Sequence, residues 1–94
     1  MNDELLTPLY LRFTYRKRQI VELACHGMSN DEIADALTIA SSTVADHLTE
    51  IFELMSTSEL FAQVKPNRLI LISAFAPFLE RNPKMRNPTL SARR

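Results

Sequence analysis

Ser29 to Met55 reads SNDEIADALTIASSTVADHLTEIFELM, and two helices joined by one short turn are written into it. Ser29 and Glu32 have capping-box spacing, so each side chain can satisfy a free amide at a helix start. Ile33, Ala34 and Leu37 then share an inner face. Thr38-Ile39-Ala40 makes a short turn. From Ser41 an apolar stripe runs through Val44, Leu48, Ile51 and Met55 at i, i+4, i+7 and i+11. That predicts a helix from about Ser41 to Met55 with one side turned inward. A helix, a three- or four-residue turn and a second helix make helix-turn-helix spacing. Such a unit projects its second helix so that the N-terminal residues can reach base edges in a major groove. Many helical hairpins share the spacing, so the spacing alone is a modest signal.

Upstream, Ile20, Val21, Leu23 and Ala24 form one stripe of a helix from about Thr14 to His26, and the only glycine, Gly27, sits where a left-handed C-cap belongs. Residues 1–12 read as an N-terminal arm or a short helix. Thr7-Pro8 suits an N-cap followed by proline at the first helical position, with Leu5, Leu9 and Phe13 on one face. Downstream, Ser56 and Glu59 repeat the capping-box spacing and predict a short helix from Thr57 to about Val64 that buries Leu60, Phe61 and Val64. Lys65-Pro66 ends it. Asn67 caps a helix from Arg68 to Glu80, which Pro77 is expected to kink or end near Ala76. Residues 81–94 form a basic tail with two Asn-Pro pairs, expected to be mobile. The expected architecture is all-α, a bundle of four to five helices over residues 13–80.

Composition narrows the function. Ninety-four residues allow one small domain, and 46% apolar content excludes wholesale disorder. One glycine argues against hairpin-rich β architecture and against a Gly-rich phosphate loop. One cysteine, Cys25, excludes an internal disulfide, and with two scattered histidines it argues against structural zinc. Cys25 itself, beside the apolar stripe, reads as an inert core thiol. The longest apolar run, Leu69 to Leu79, is 11 residues, where a membrane helix needs about 20. No basic-then-apolar leader opens the sequence, so a soluble, cytoplasmic protein is expected. No nucleophile–base spacing, metal-ligand pair or cofactor loop is present, so no enzyme, metal, cofactor or small-molecule ligand is expected.

The formal charge is zero, but the charges are segregated. Residues 28–64 carry Asp31, Glu32, Asp35, Asp46, Glu50, Glu53 and Glu59 with no lysine or arginine, a sum of −7. Residues 1–27 sum to +1 and residues 65–94 to +6. The outward side of the helix from Ser41 should therefore show Ser42, Ala45, Asp46, Thr49, Glu50 and Glu53, with carboxylates and no cation.

Phe13 to Met55, 43 of the 94 residues, resembles the LuxR/FixJ/GerE family of bacterial helix-turn-helix domains without a gap. The matching residues are Thr14, Arg16, Gly27, Ser29, Asn30, Glu32, Ile33, Ala34, Leu37, Ile39, Thr43, Val44, His47 and Ile51. The resemblance implies a DNA-binding transcription regulator whose third helix reads DNA and whose last helix dimerises. It also exposes departures. Asp31 and Ala45 stand where the family usually has basic residues, Leu54 where it commonly has lysine, and Lys17 where it has glutamate. After Met55 the family goes quickly into its last helix, whereas this chain inserts a short extra one.

Two functions follow. In the first, Ser41, Ser42, Thr43 and His47, with the Arg16-Lys17-Arg18 cluster, contact DNA. The hydroxyls can donate to phosphates from a helix N-terminus, although they serve equally as plain caps, and His47 and the basic cluster also have structural readings. In the second, the scaffold has lost DNA, and the face of Asp46, Glu50 and Glu53 binds a basic protein, such as another regulator. A carboxylate about 7 Å from a phosphate costs roughly 0.6 kcal/mol at the dielectric of water, and more where water is excluded. In either case Leu69, Ile72, Ser73, Ala76 and Leu79 suit a helix-to-helix seam, with the chain itself as homodimer or with another regulator.

Overall fold

The computed structural model describes residues 3–86, and in them the chain forms five α-helices: α1 (Asp3–Arg12), α2 (Tyr15–Cys25), α3 (Asn30–Leu37), α4 (Ser41–Ser56) and α5 (Arg68–Arg81). Two single 3-10 turns, Glu59–Phe61 and Pro83–Met85, complete the described residues, which contain no strand. The all-α expectation holds.

The helix-turn-helix is set by local chemistry. The Ser29 amide donates to Glu32 Oε1 at 2.8 Å and the Glu32 amide to Ser29 Oγ at 3.2 Å, a complete capping box. Thr38 ends α3 in the left-handed region, at φ 58°, and the Ile39 amide closes back on the Ala34 carbonyl at 3.0 Å. A β-branched residue is strained there. The turn is thus held by its surroundings and not by a glycine. Gly27, at φ +85°, provides the other left-handed position, directly after the His26 cap of α2.

The core draws on every helix. Ile20, Val21 and Ala24 of α2, Ile33 and Ala34 of α3, and Val44, Ile51 and Met55 of α4 are buried together. Leu71, Phe75 and Phe78 of α5 lie under α1, where Tyr10 and Phe13 join the two phenylalanines with ring centroids 5.6 to 5.9 Å apart. Such tilted and edge-to-face pairs are worth about 0.5–1.5 kcal/mol each beyond the area they bury.

Four expectations need correction. Of the two readings of the first dozen residues, the short helix is the one observed, but it does not begin at Pro8. α1 starts at Asp3 and carries Pro8 inside it, exposed, while Leu6, Leu9 and Tyr10 are buried and Leu5 is only half-buried. Pro77 does not end α5 near Ala76. The helix continues to Arg81 because Phe78 and Leu79, beyond the proline, are locked in the core while Pro77 itself faces solvent. Burial outweighs a local proline penalty of about 3 kcal/mol. The inserted segment after α4 is one 3-10 turn capped by Ser58, not a helix capped by Ser56. It buries Phe61, leaving Leu60 half-buried and Val64 exposed. Finally, Arg81 to Arg86 are held on the body. Arg81 pairs with Asp3 at 2.5 Å, the Tyr10 hydroxyl donates to the Met85 carbonyl at 3.4 Å, and Arg86 Nε donates to the Leu79 carbonyl at 3.4 Å. The rest of the expected mobile tail, residues 87–94, lies outside the described residues.

Candidate nucleic-acid interface

α4 buries Val44, Leu48, Ile51 and Met55 and so turns the opposite stripe outward. Ser42, Ala45, Asp46, Thr49, Glu50 and Glu53 are all exposed, as the periodicity requires. Thr49 Oγ1 donates to the Ala45 carbonyl at 3.1 Å, one turn back along its own helix.

The charge on this face is not what the sequence order suggests. Lys17, on α2, is 8% exposed and reaches across to α4, where its ammonium lies 2.6 Å from Glu50 Oε1 and 3.4 Å from His47 Nδ1. Lysine has no acceptor, so His47 Nδ1 receives and the ring proton sits on Nε2. The Lys17 ammonium holds the Glu50 carboxyl below the usual glutamate range. Lys17 is therefore engaged within the protein. It is a counter-ion built into the protein that neutralises one of the three outward acids. Asp46 and Glu53 have no ion-pair partner among the described residues.

Other expected contacts are likewise redirected. Arg18 donates through Nε to the Phe13 carbonyl at 3.1 Å and through Nη2 to the Leu11 carbonyl at 3.0 Å, and its guanidinium lies 5.8 Å from the centre of the Tyr10 ring. It ties α2 to the end of α1. Ser41 donates its hydroxyl to Asp31 Oδ1 at 2.5 Å. An acid of α3 thus stands at the N-terminal end of α4, where Ala40 supplies no side-chain cap. That is the end at which a helix attracts anions. Ser42 is exposed, Thr43, His47 and Arg16 are half-buried, and of the basic cluster only Arg16 makes no hydrogen bond or ion pair through its side chain among the described residues.

The proposed seam on α5 divides in two. Leu69 is 71% exposed, Ser73 is exposed, and Ile72 and Ala76 are half-buried, all on one side. Leu79 is 2% exposed and belongs to the protomer's own core, so it leaves the seam.

Two cations near the end of α4 were not singled out in the sequence. Arg12 Nη1 donates to Thr57 Oγ1 at 3.0 Å, and Lys65 borders the outward face beside Thr49 and Glu53. Both come from outside the helix-turn-helix, and no local spacing connects them to it. Elsewhere, burial pushes the Cys25 thiol up to about 12, which keeps it protonated and unreactive at neutral pH. Among the described residues no three His, Cys, Asp or Glu side chains converge as a metal site, and no helix is long and apolar enough to cross a membrane.

No curated protein and no solved structure matches the chain. The family described as bacterial regulatory proteins, luxR family, matches residues 11–64, more than half of the sequence and the whole of the helix-turn-helix. With its capped α3, its left-handed turn and its outward α4, the chain belongs to the luxR family of bacterial regulatory proteins, the helix-turn-helix regulators of transcription.

Proposed function

We propose that the protein is a small DNA-binding regulator of transcription that lays the first turns of α4 in the major groove and acts in the cytoplasm as a dimer. The observation that carries the DNA reading is the Lys17–Glu50 ion pair. It removes one charge from an outward face that carries three acids. The stretch that would meet base edges is then Ser42, Ala45, Asp46 and Thr49, with a single carboxylate. One acid is compatible with recognition, because a carboxylate can accept from a cytosine amino group. His47 Nε2–H, Thr43 and Arg16 supply donors toward phosphate. Dimerisation is supported by the row on one side of α5 made by exposed Leu69 and Ser73 and half-buried Ile72 and Ala76.

A second reading, a helix-turn-helix that binds a basic protein in place of DNA, is favoured by one observation. Asp31 already holds Ser41 at the N-terminal end of α4, and Glu32 and Asp35 of α3 and Asp46 of α4 are exposed. Fluorescence anisotropy on a random duplex at low salt separates the two. Binding in the range of about 10⁻⁴ to 10⁻⁶ M that weakens steeply with salt is expected. The absence of any binding at low salt refutes the DNA reading and leaves the protein partner.

A further inference from the structure

We infer that Lys65, on the segment inserted between α4 and α5, is a phosphate-contacting residue at the far end of the recognition helix. The inference rests on the DNA-binding reading and adds a contact outside the helix-turn-helix. The outward face of α4 does not stop at Thr49. Phe52 and Ser56 follow Ala45 and Thr49 at i+7, and Glu53 follows Thr49 at i+4. At 1.5 Å per residue, Ser42 to Glu53 spans about 17 Å, more than the roughly 12 Å width of the major groove. A rod that crosses the groove with its first turns on base edges meets a flanking phosphate strand near its last turns. There the protein has an open notch of about 260 Å³, lined by Thr49, Phe52, Glu53 and Ser56 of α4 and by Lys65 and Pro66 of the insert.

The notch holds an available cation. Lys65 is exposed, and neither it nor Glu53 makes an ion pair among the described residues. The other cations bordering α4 are engaged: Lys17 by Glu50 and Arg12 by the Thr57 hydroxyl. The backbone at Lys65 is also well placed. Asn67 Oδ1 accepts from the Ile70 amide at 2.9 Å to start α5, while Arg68 donates to the Met28 carbonyl and to Asn30 Oδ1, the latter at 3.1 Å. These bonds pin the junction to the start of α3, two residues after Pro66. Lys65 thus stands, exposed, three residues before an anchored arginine, which suits a contact to a phosphate whose position is set by the duplex.

Anisotropy titrations over a salt series on random duplexes test this with Lys65→Ala and Lys65→Arg, alongside thermal melts. Each phosphate neutralised contributes about 0.9 to the slope of log K against log salt. Lys65→Ala is expected to lower that slope by about 0.9, to weaken binding several-fold on all duplexes alike, and to leave the melt unchanged. Lys65→Arg is expected to keep the slope. If the wild type binds and Lys65→Ala retains its slope, or Lys65→Arg loses it, the assignment is overturned while the DNA reading stands. If the wild type does not bind at low salt, both are overturned.

Discussion

At the residue scale two acids that look alike in the sequence have opposite circumstances. Glu50 is matched by a lysine 2.6 Å away, whereas Asp31 has no ion-pair partner among the described residues and accepts from the Ser41 hydroxyl where a phosphate would approach. Asp31→Asn keeps an oxygen that can accept from Ser41 and removes the charge. It is expected to tighten duplex binding by several-fold at low salt. An unchanged Kd by anisotropy would show that no phosphate comes near α3. Lys17→Met keeps the apolar stem and uncovers the Glu50 charge. Because Glu50 is more than half exposed, the stability change should be small, while DNA affinity falls more than that small change explains. The pair also sets a pH dependence. The Glu50 carboxyl lies below its ordinary value of 4.5 in the folded state, so its contribution to stability is complete above that value. It is lost as pH falls through the lowered folded value. The stability gap between the wild type and Glu50→Gln, followed by denaturant melts, should be constant near neutrality and close in acid. A gap that widened on acidification would contradict the ion pair.

At the element scale the helix-turn-helix and the two outer helices follow different rules. α3 and α4 are specified by residues within them: the Ser29–Glu32 box, the stripe from Val44 to Met55, and the short turn between them. Their ends were legible to within a residue or two. α1 and α5 each contain a proline that local rules would place at an end, and each runs through it because apolar side chains on both sides are buried. No window of a few residues reveals how much burial a helix will find. Pro77→Ala should restore an amide donor toward the Ser73 carbonyl. It is expected to raise unfolding free energy by about 2 kcal/mol, the proline penalty less its restriction of the unfolded chain. A fall in stability by urea titration would mean that the proline shapes α5 to fit α1. The inserted segment was the least legible element. Its cap and length were misplaced because Phe61 alone anchors it, and a single anchor has no period.

At the scale of the whole molecule the question is how much of α5 the protomer covers by itself. Leu71, Ala74, Phe75, Phe78 and Leu79 are buried, which explains why the helix looked apolar all round, while Leu69 and its neighbours remain outside. Leu69→Glu places a charge on a side chain that is 71% exposed in the single chain, so the fold should survive. By sedimentation the variant is expected to run as a monomer where the wild type runs as a dimer. Equal masses would remove α5 from the interface. The segregated charge is also reconsidered at this scale. Lys17–Glu50 joins residues far apart in the chain, so one acid of the acid-rich middle is compensated from outside it.

The amino-acid order by itself determined the helices of the recognition unit, the inward and outward sides of α4, and the excess of acid between residues 28 and 64. These depend on spacings of three and four residues, where neighbours along a helix are neighbours in space. Tertiary structure alone decided which acids remain active. It brought Lys17 to Glu50, Asp31 to Ser41 and Lys65 to the end of α4. Charge acts through distance across packed helices, and those distances exist only once the core has formed.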